Sequence, residues 1–97
     1  MNLPKIPIVK EDERGIIYDC GKVGYIFRKQ RTISANHTHE DAETLYLVEG
    51  KVELTIGDET QEVEAPIKIE IPSNVYHKLL ALTDIRMVEE RDYFKKG

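Results

Sequence analysis

The sequence predicts an all-β fold, an antiparallel sandwich or barrel, and three observations carry that reading. Apolar and polar residues alternate with period two through most of the chain. Short runs rich in β-branched and aromatic residues recur about every eight to twelve residues, with Gly, Pro, Asn and Asp between them. No stretch sustains the period of an amphipathic helix.

The elements follow in order. Residues 1–20 read as an N-terminal arm and a first strand, the arm being Leu3 to Val9 with Pro4 and Pro7. Such a segment can add to a neighbouring subunit's sheet or lie across it. Residues 23–90 hold the barrel. Val23 to Arg28 is rich in aromatic and β-branched residues and forms a strand. Leu45 to Val48 is the next clear one, ended by Glu49-Gly50. From Lys51 to Ile56 the alternation puts Val52, Leu54 and Ile56 on one face and Lys51, Glu53 and Thr55 on the other. Gly57-Asp58-Glu59 turns the chain into a short polar strand over Gln61 to Glu64, and Pro66 punctuates. Ile67, Ile69 and Ile71 alternate with Lys68 and Glu70 in a half-buried strand. Ile71-Pro72-Ser73-Asn74 is a tight turn, because Pro presets one φ and Asn tolerates the left-handed region. Val75 to Leu82 and Ile85 to Glu89 complete the set, and 91–97 is a tail.

Bulk properties narrow the function classes. A chain of 97 residues has room for one domain with a marginal core, which a bound metal or a partner subunit would reinforce. Net charge is −4 and the basic residues are scattered, so nucleic acid is not the expected partner. No apolar run approaches a membrane span. The single cysteine, Cys20, excludes an intrachain disulfide and fits a reducing compartment, and MNLPKIPIVK lacks a signal-peptide layout. The expected location is cytoplasmic.

The residues that carry chemistry lie in NHTHEDAETLYLVEG, Asn36 to Gly50. In a strand, positions i and i+2 share a face, so His37 and His39 point the same way. Glu43, at the start of the following strand, can return its carboxylate toward them. Downstream, His77 shares its face with Leu79 and Ala81. Three imidazoles and one carboxylate suit a divalent transition metal and leave one or two positions open. This mixed N/O set does not select among manganese, iron, cobalt, nickel, copper and zinc. The alternative, a His39-Glu40-x-x-Glu43 helix face, conflicts with the β-branched and aromatic residues that follow.

HTHEDAETLYLVEG, of the form H-x-H-(x)3-E-(x)6-G, resembles the first motif of the cupin superfamily, and PSNVYH resembles the second. The resemblance covers roughly residues 23–90. It implies a double-stranded β-helix, or jelly-roll barrel, holding one metal near its open mouth on His37, His39, Glu43 and His77. Arg31, Pro66 and Asn74 stand where the family commonly has glycine, and Ala81 where asparagine is common.

A divalent ion with one carboxylate ligand keeps a net positive charge and favours an anionic or chelating oxygen ligand. The inward faces predict an aliphatic cavity wall from Leu45, Leu47, Val52, Leu54, Ile56, Ile69, Leu79 and Met87. Tyr25, Tyr46, Arg28 and Lys78 are the polar candidates, and the substrate pocket is expected at Tyr25, Tyr46, Leu54, Leu79 and Met87. The expected function is a metal-dependent enzyme acting on a small anionic or sugar-like compound, of isomerase, decarboxylase or dioxygenase type. Two alternatives stand beside it: a non-catalytic module that binds a small ligand or uses the metal for stability, and a metal-free barrel. Leu45 to Val48 and Val75 to Leu82 are apolar on both faces, which predicts a homodimer.

Overall fold

A computed structural model of the chain describes residues 1–38 and 40–93, with the backbone alone at positions 35 and 36. Among the described residues there are ten strands and no helix. They are β1 (Ile8–Asp12), β2 (Gly15–Asp19), β3 (Val23–Arg28), β4 (Ile33–His37), β5 (Glu43–Glu49), β6 (Lys51–Ile56), β7 (Glu59–Glu64), β8 (Ile67–Ile71), β9 (His77–Ala81) and β10 (Ile85–Glu90). Residues 8–19 form a hairpin of two strands, β1 on β2. Every pairing is antiparallel.

Topology follows from nested pairing. β3 pairs with β10, β4 with β9, β5 with β8 and β6 with β7, so the chain from β3 to β10 is one long ribbon folded at the β6–β7 turn. The ribbon coils on itself through two further pairings, β5 with β10 and β6 with β9. The result is a jelly roll: a six-stranded sheet in the order β1-β2-β3-β10-β5-β8 faces a four-stranded sheet in the order β4-β9-β6-β7.

Alternation decides which side chains meet between the sheets. Ile26, Leu45, Leu47, Ile69, Ile85 and Met87 project from the larger sheet, and Val52, Leu54, Val63, Leu79 and Ala81 from the smaller, all buried. Leu47, Val52 and Ile85 are fully removed from solvent.

Two turn positions show the backbone demand behind the motifs. Asn74 has φ 60° and Arg31 φ 70°, so both take the left-handed conformation that glycine adopts at no steric cost. Gly50, between β5 and β6, has φ 99°, and a Cβ there would stand 2.4 Å from the Asp84 carbonyl oxygen. The glycine that closes the first motif is therefore required by the packing of this turn against residues 83–84.

Candidate metal centre

Three strand ends build the site. His37 is the last residue of β4 and His77 the first of β9, and the register pairs them directly. A register shift between Ser34 and His37 re-aims the end of β4. The chain then crosses to the other sheet, where Glu43 is the first residue of β5. The imidazole rings of His37 and His77 meet edge to face, with centroids 4.9 Å apart and planes at 86°. Glu43 Oε2 lies 3.5 Å from His77 Nε2. One ligating atom from each of His37, Glu43 and His77 falls within 4.8 Å of the others. His39, expected as the fourth ligand, lies outside the described residues.

Hydrogen bonding fixes what His77 presents. Its side chain is 1% exposed, and Nδ1 stands 3.2 Å from the Val75 carbonyl oxygen. A carbonyl only accepts, so Nδ1 carries the proton in this bond. Nε2 is then the atom that His77 turns toward the Glu43 carboxylate. Two ligands about 2.1 Å from one ion at a tetrahedral angle stand about 3.4 Å apart, close to the observed spacing. The second nitrogen bonded to a backbone carbonyl is also the arrangement that orients metal-bound histidines. These residues fit a divalent transition metal.

A cavity of about 430 Å³ opens on the pair His37 and Glu43. Leu45, Leu79 and Met87 line it. Ile17, Ile26 and Ile33 complete the apolar wall, and Ser34, Arg28 and Glu89 bring polar groups into it.

Leu54 is buried in the core between the sheets and is not among the residues lining this cavity. Nor are Tyr25 and Tyr46, for a reason of parity. Tyr25 alternates with buried Gly24 and Ile26, and Tyr46 with buried Leu45 and Leu47, so both project from the outer face of the six-stranded sheet. There Tyr25 lies 6.3 Å from the Tyr18 ring, while the Tyr46 hydroxyl donates to the Glu90 carboxylate at 2.5 Å under the Lys68 ammonium. That bond to an ionised acceptor pushes the Tyr46 phenol up. Arg28 does reach the cavity, and Lys78 does not line it. The sequence pattern singled out neither Ser34 nor Glu89, although Glu89 shares the inward face of β10 with Met87.

Residues 25–89 match the family model of the cupin domain. The chain belongs to the cupin family. Solved structures place the cupin among a broad set of relatives in fold. It resembles the capsular polysaccharide assembling protein CapF of Staphylococcus aureus at TM-score 0.71 and 22% identity, over 89% of this chain and 30% of that one. An RmlC-like cupin of Shewanella frigidimarina gives TM-score 0.65 and 18% identity over 69% of this chain and 60% of the other. A salicylate 1,2-dioxygenase of Pseudoaminobacter salicylatoxidans, solved with gentisate, gives TM-score 0.64 and 18% identity over 75% and 19%. The cupin thus spans less than a third of CapF. Comparison with curated proteins returns no match.

Proposed function

We propose that this cupin binds one divalent transition metal on His37, Glu43 and His77, with His39 as the fourth ligand, and acts on a small anionic or sugar-like compound. One observation carries the proposal: a buried imidazole whose proton is committed to the Val75 carbonyl faces a carboxylate 3.5 Å away. When bound, the metal would supply Lewis-acid polarisation or an acidified water, which serve isomerase and decarboxylase chemistries, whereas dioxygenase chemistry would require a redox-active ion.

The chain's own residues supply the rest. Glu43 lowers the charge at the centre, and the Val75 carbonyl holds the His77 ring in one orientation. Leu45, Leu79 and Met87 keep water from the inner wall, while Ser34 and Glu89 offer hydrogen-bonding groups beside the opening. Glu89 is the group placed to accept a proton from a compound in the cavity. Gentisate in the dioxygenase and the tropolone inhibitor of CapF are both small oxygen-rich rings, consistent with a chelating ligand here.

Elemental analysis of untagged protein tests the metal. About one ion per chain is expected, lost in both His37→Ala and His77→Ala; a wild type without metal refutes the site. Recovery of every screened compound unchanged, with each candidate metal and in air, would turn the reading to a non-catalytic binding module.

Pairing of two copies belongs to the same proposal. The register lines up Tyr18, Tyr25, Val88 and Tyr46 in one row across the outer face of the large sheet, and Val48 beside it is 51% exposed. A second copy would cover that row, with the exposed arm residues Leu3 and Ile6 reaching across. We place the protein in the cytoplasm, where the exposed Cys20 thiol stays reduced.

A further inference from the structure

Arg28 is the feature that the metal centre leaves unexplained. It ends β3 on the inward face, after Gly24 and Ile26, and is 6% exposed. Its Nε is buried with no hydrogen-bond partner among the described residues, and its Nη1 reaches only the adjacent Phe27 carbonyl, at 3.4 Å. A buried guanidinium held for structure is ordinarily saturated by a carboxylate or by carbonyls. The neighbouring Arg14 shows the contrast, since Asp12 takes its Nη2 at 2.8 Å and its Nε at 3.2 Å. Burial pushes the Arg28 guanidinium down and nearby Arg14 adds to that, against weaker help from Asp12 and Glu89.

Arg28 lines the same cavity as His37 and Glu43, two of the three residues of the metal centre. Its lining carries Lys10, Arg14, Arg28 and Arg91 against Glu43 and Glu89, an excess of positive charge in a chain of net charge −4. A positively charged, low-dielectric pocket concentrates anions. A guanidinium with open donors recognises the paired oxygens of a carboxylate or phosphate.

We propose that the cavity takes a small acid bound at two points, an oxyanion on the Arg28 guanidinium and a chelating oxygen end at the His37–Glu43–His77 centre. This deepens the metal reading and rests on it for the second point alone. The ligand class is a short dicarboxylate, or a carboxylic acid bearing phosphate at its far end. Neutral sugars lack the group that Arg28 requires.

Calorimetry with succinate, malonate, inorganic phosphate and acetate tests this on wild type, Arg28→Met and Arg28→Lys, each metal-free and metal-loaded. Metal-free wild type is expected to bind phosphate or a dicarboxylate about tenfold or more tightly than Arg28→Met, with Arg28→Lys between them. On loading, a dicarboxylate gains over acetate in wild type but not in Arg28→Met, whose metal content stays unchanged. Preference for succinate or malonate assigns a carboxylate to Arg28, and preference for phosphate assigns a phosphate; either supports the proposal. Arg28→Met is also expected to melt at or above the wild-type temperature, because it removes an unsatisfied buried charge. Equal anion affinity in wild type and Arg28→Met overturns the proposal, as does an Arg28→Met chain that unfolds, which would make the arginine structural. Should wild type take up no metal, the centre fails while the metal-free comparison still decides Arg28.

Discussion

Replacing Gly50 by alanine should be far more damaging than replacing Gly57, although both glycines close tight turns with positive φ. At Gly50, φ is 99° and the new Cβ would stand 2.4 Å from the Asp84 carbonyl oxygen and 2.7 Å from both Ile85 Cγ2 and Thr83 Oγ1. The nearest atom is backbone, so relief means moving one turn off the other. That motion strains the bonds joining them, Leu82 N to Lys51 O at 2.9 Å and Lys51 N to Thr83 Oγ1 at 3.0 Å. Left-handed alanine costs about 1–2 kcal/mol, the overpacked contact at least about 1 and a weakened hydrogen bond about 1, giving a floor of about 3 kcal/mol. At about 4–8 °C per kcal/mol for a domain of this size, Gly50→Ala should melt about 12 °C or more below wild type. At Gly57 φ is 60°, but the nearest foreign atom to a Cβ is Val75 Cγ1 at 3.7 Å, ordinary contact. Gly57→Ala should therefore cost only the backbone term, about 1–2 kcal/mol. Urea unfolding of the two variants beside wild type gives both free energies directly. Equal losses, or a Gly50→Ala loss under about 1 kcal/mol, would refute the steric account.

Two further outcomes are expected. The Arg14 side chain, by hydrogen bonding, holds the Asp12 carboxyl down from 3.8 to about 2. A depressed folded pKa gives stability that is complete above the unfolded value and lost as pH falls through the folded one, so wild type should lose more melting temperature than Asp12→Asn between about pH 5 and 2. Parallel melting curves for the two proteins contradict that linkage. On the outer sheet face, Val88→Asp should convert a wild-type dimer to a monomer in light scattering, since Val88 sits mid-row between Tyr25 and Tyr46. A monomeric wild type removes the interface.

Legibility of the fold was high because period two is local. Lys51 to Ile56, Ile67 to Ile71 and Ile85 onward form strands with the faces that alternation assigned. The hairpin at residues 8–19 was not separable into two strands, because IVKED and GIIYD lack a clean alternation, β1 being mostly exposed and β2 mostly half-buried. At the site, the motif supplied His37, Glu43 and His77, which the structure brings together. The pocket residues fared by parity: Leu79 and Met87 share the inward face of their strands, whereas Tyr25 and Tyr46 lie one residue out of phase.

By itself, then, the sequence determined an antiparallel β architecture and the residue types of the centre, since alternation and ligand chemistry are properties of neighbours along the chain. Only the tertiary structure decided that Nε2 of His77, its other nitrogen bound to the Val75 carbonyl, confronts Glu43 across the gap between two sheets. It alone also turned Arg28 from one basic residue among fourteen into a buried, partner-poor guanidinium within the cavity. The physical reason is common to both: β3, β4, β5 and β9 meet there through pairings distant in sequence, and burial, charge balance and hydrogen bonding depend on what those pairings bring face to face.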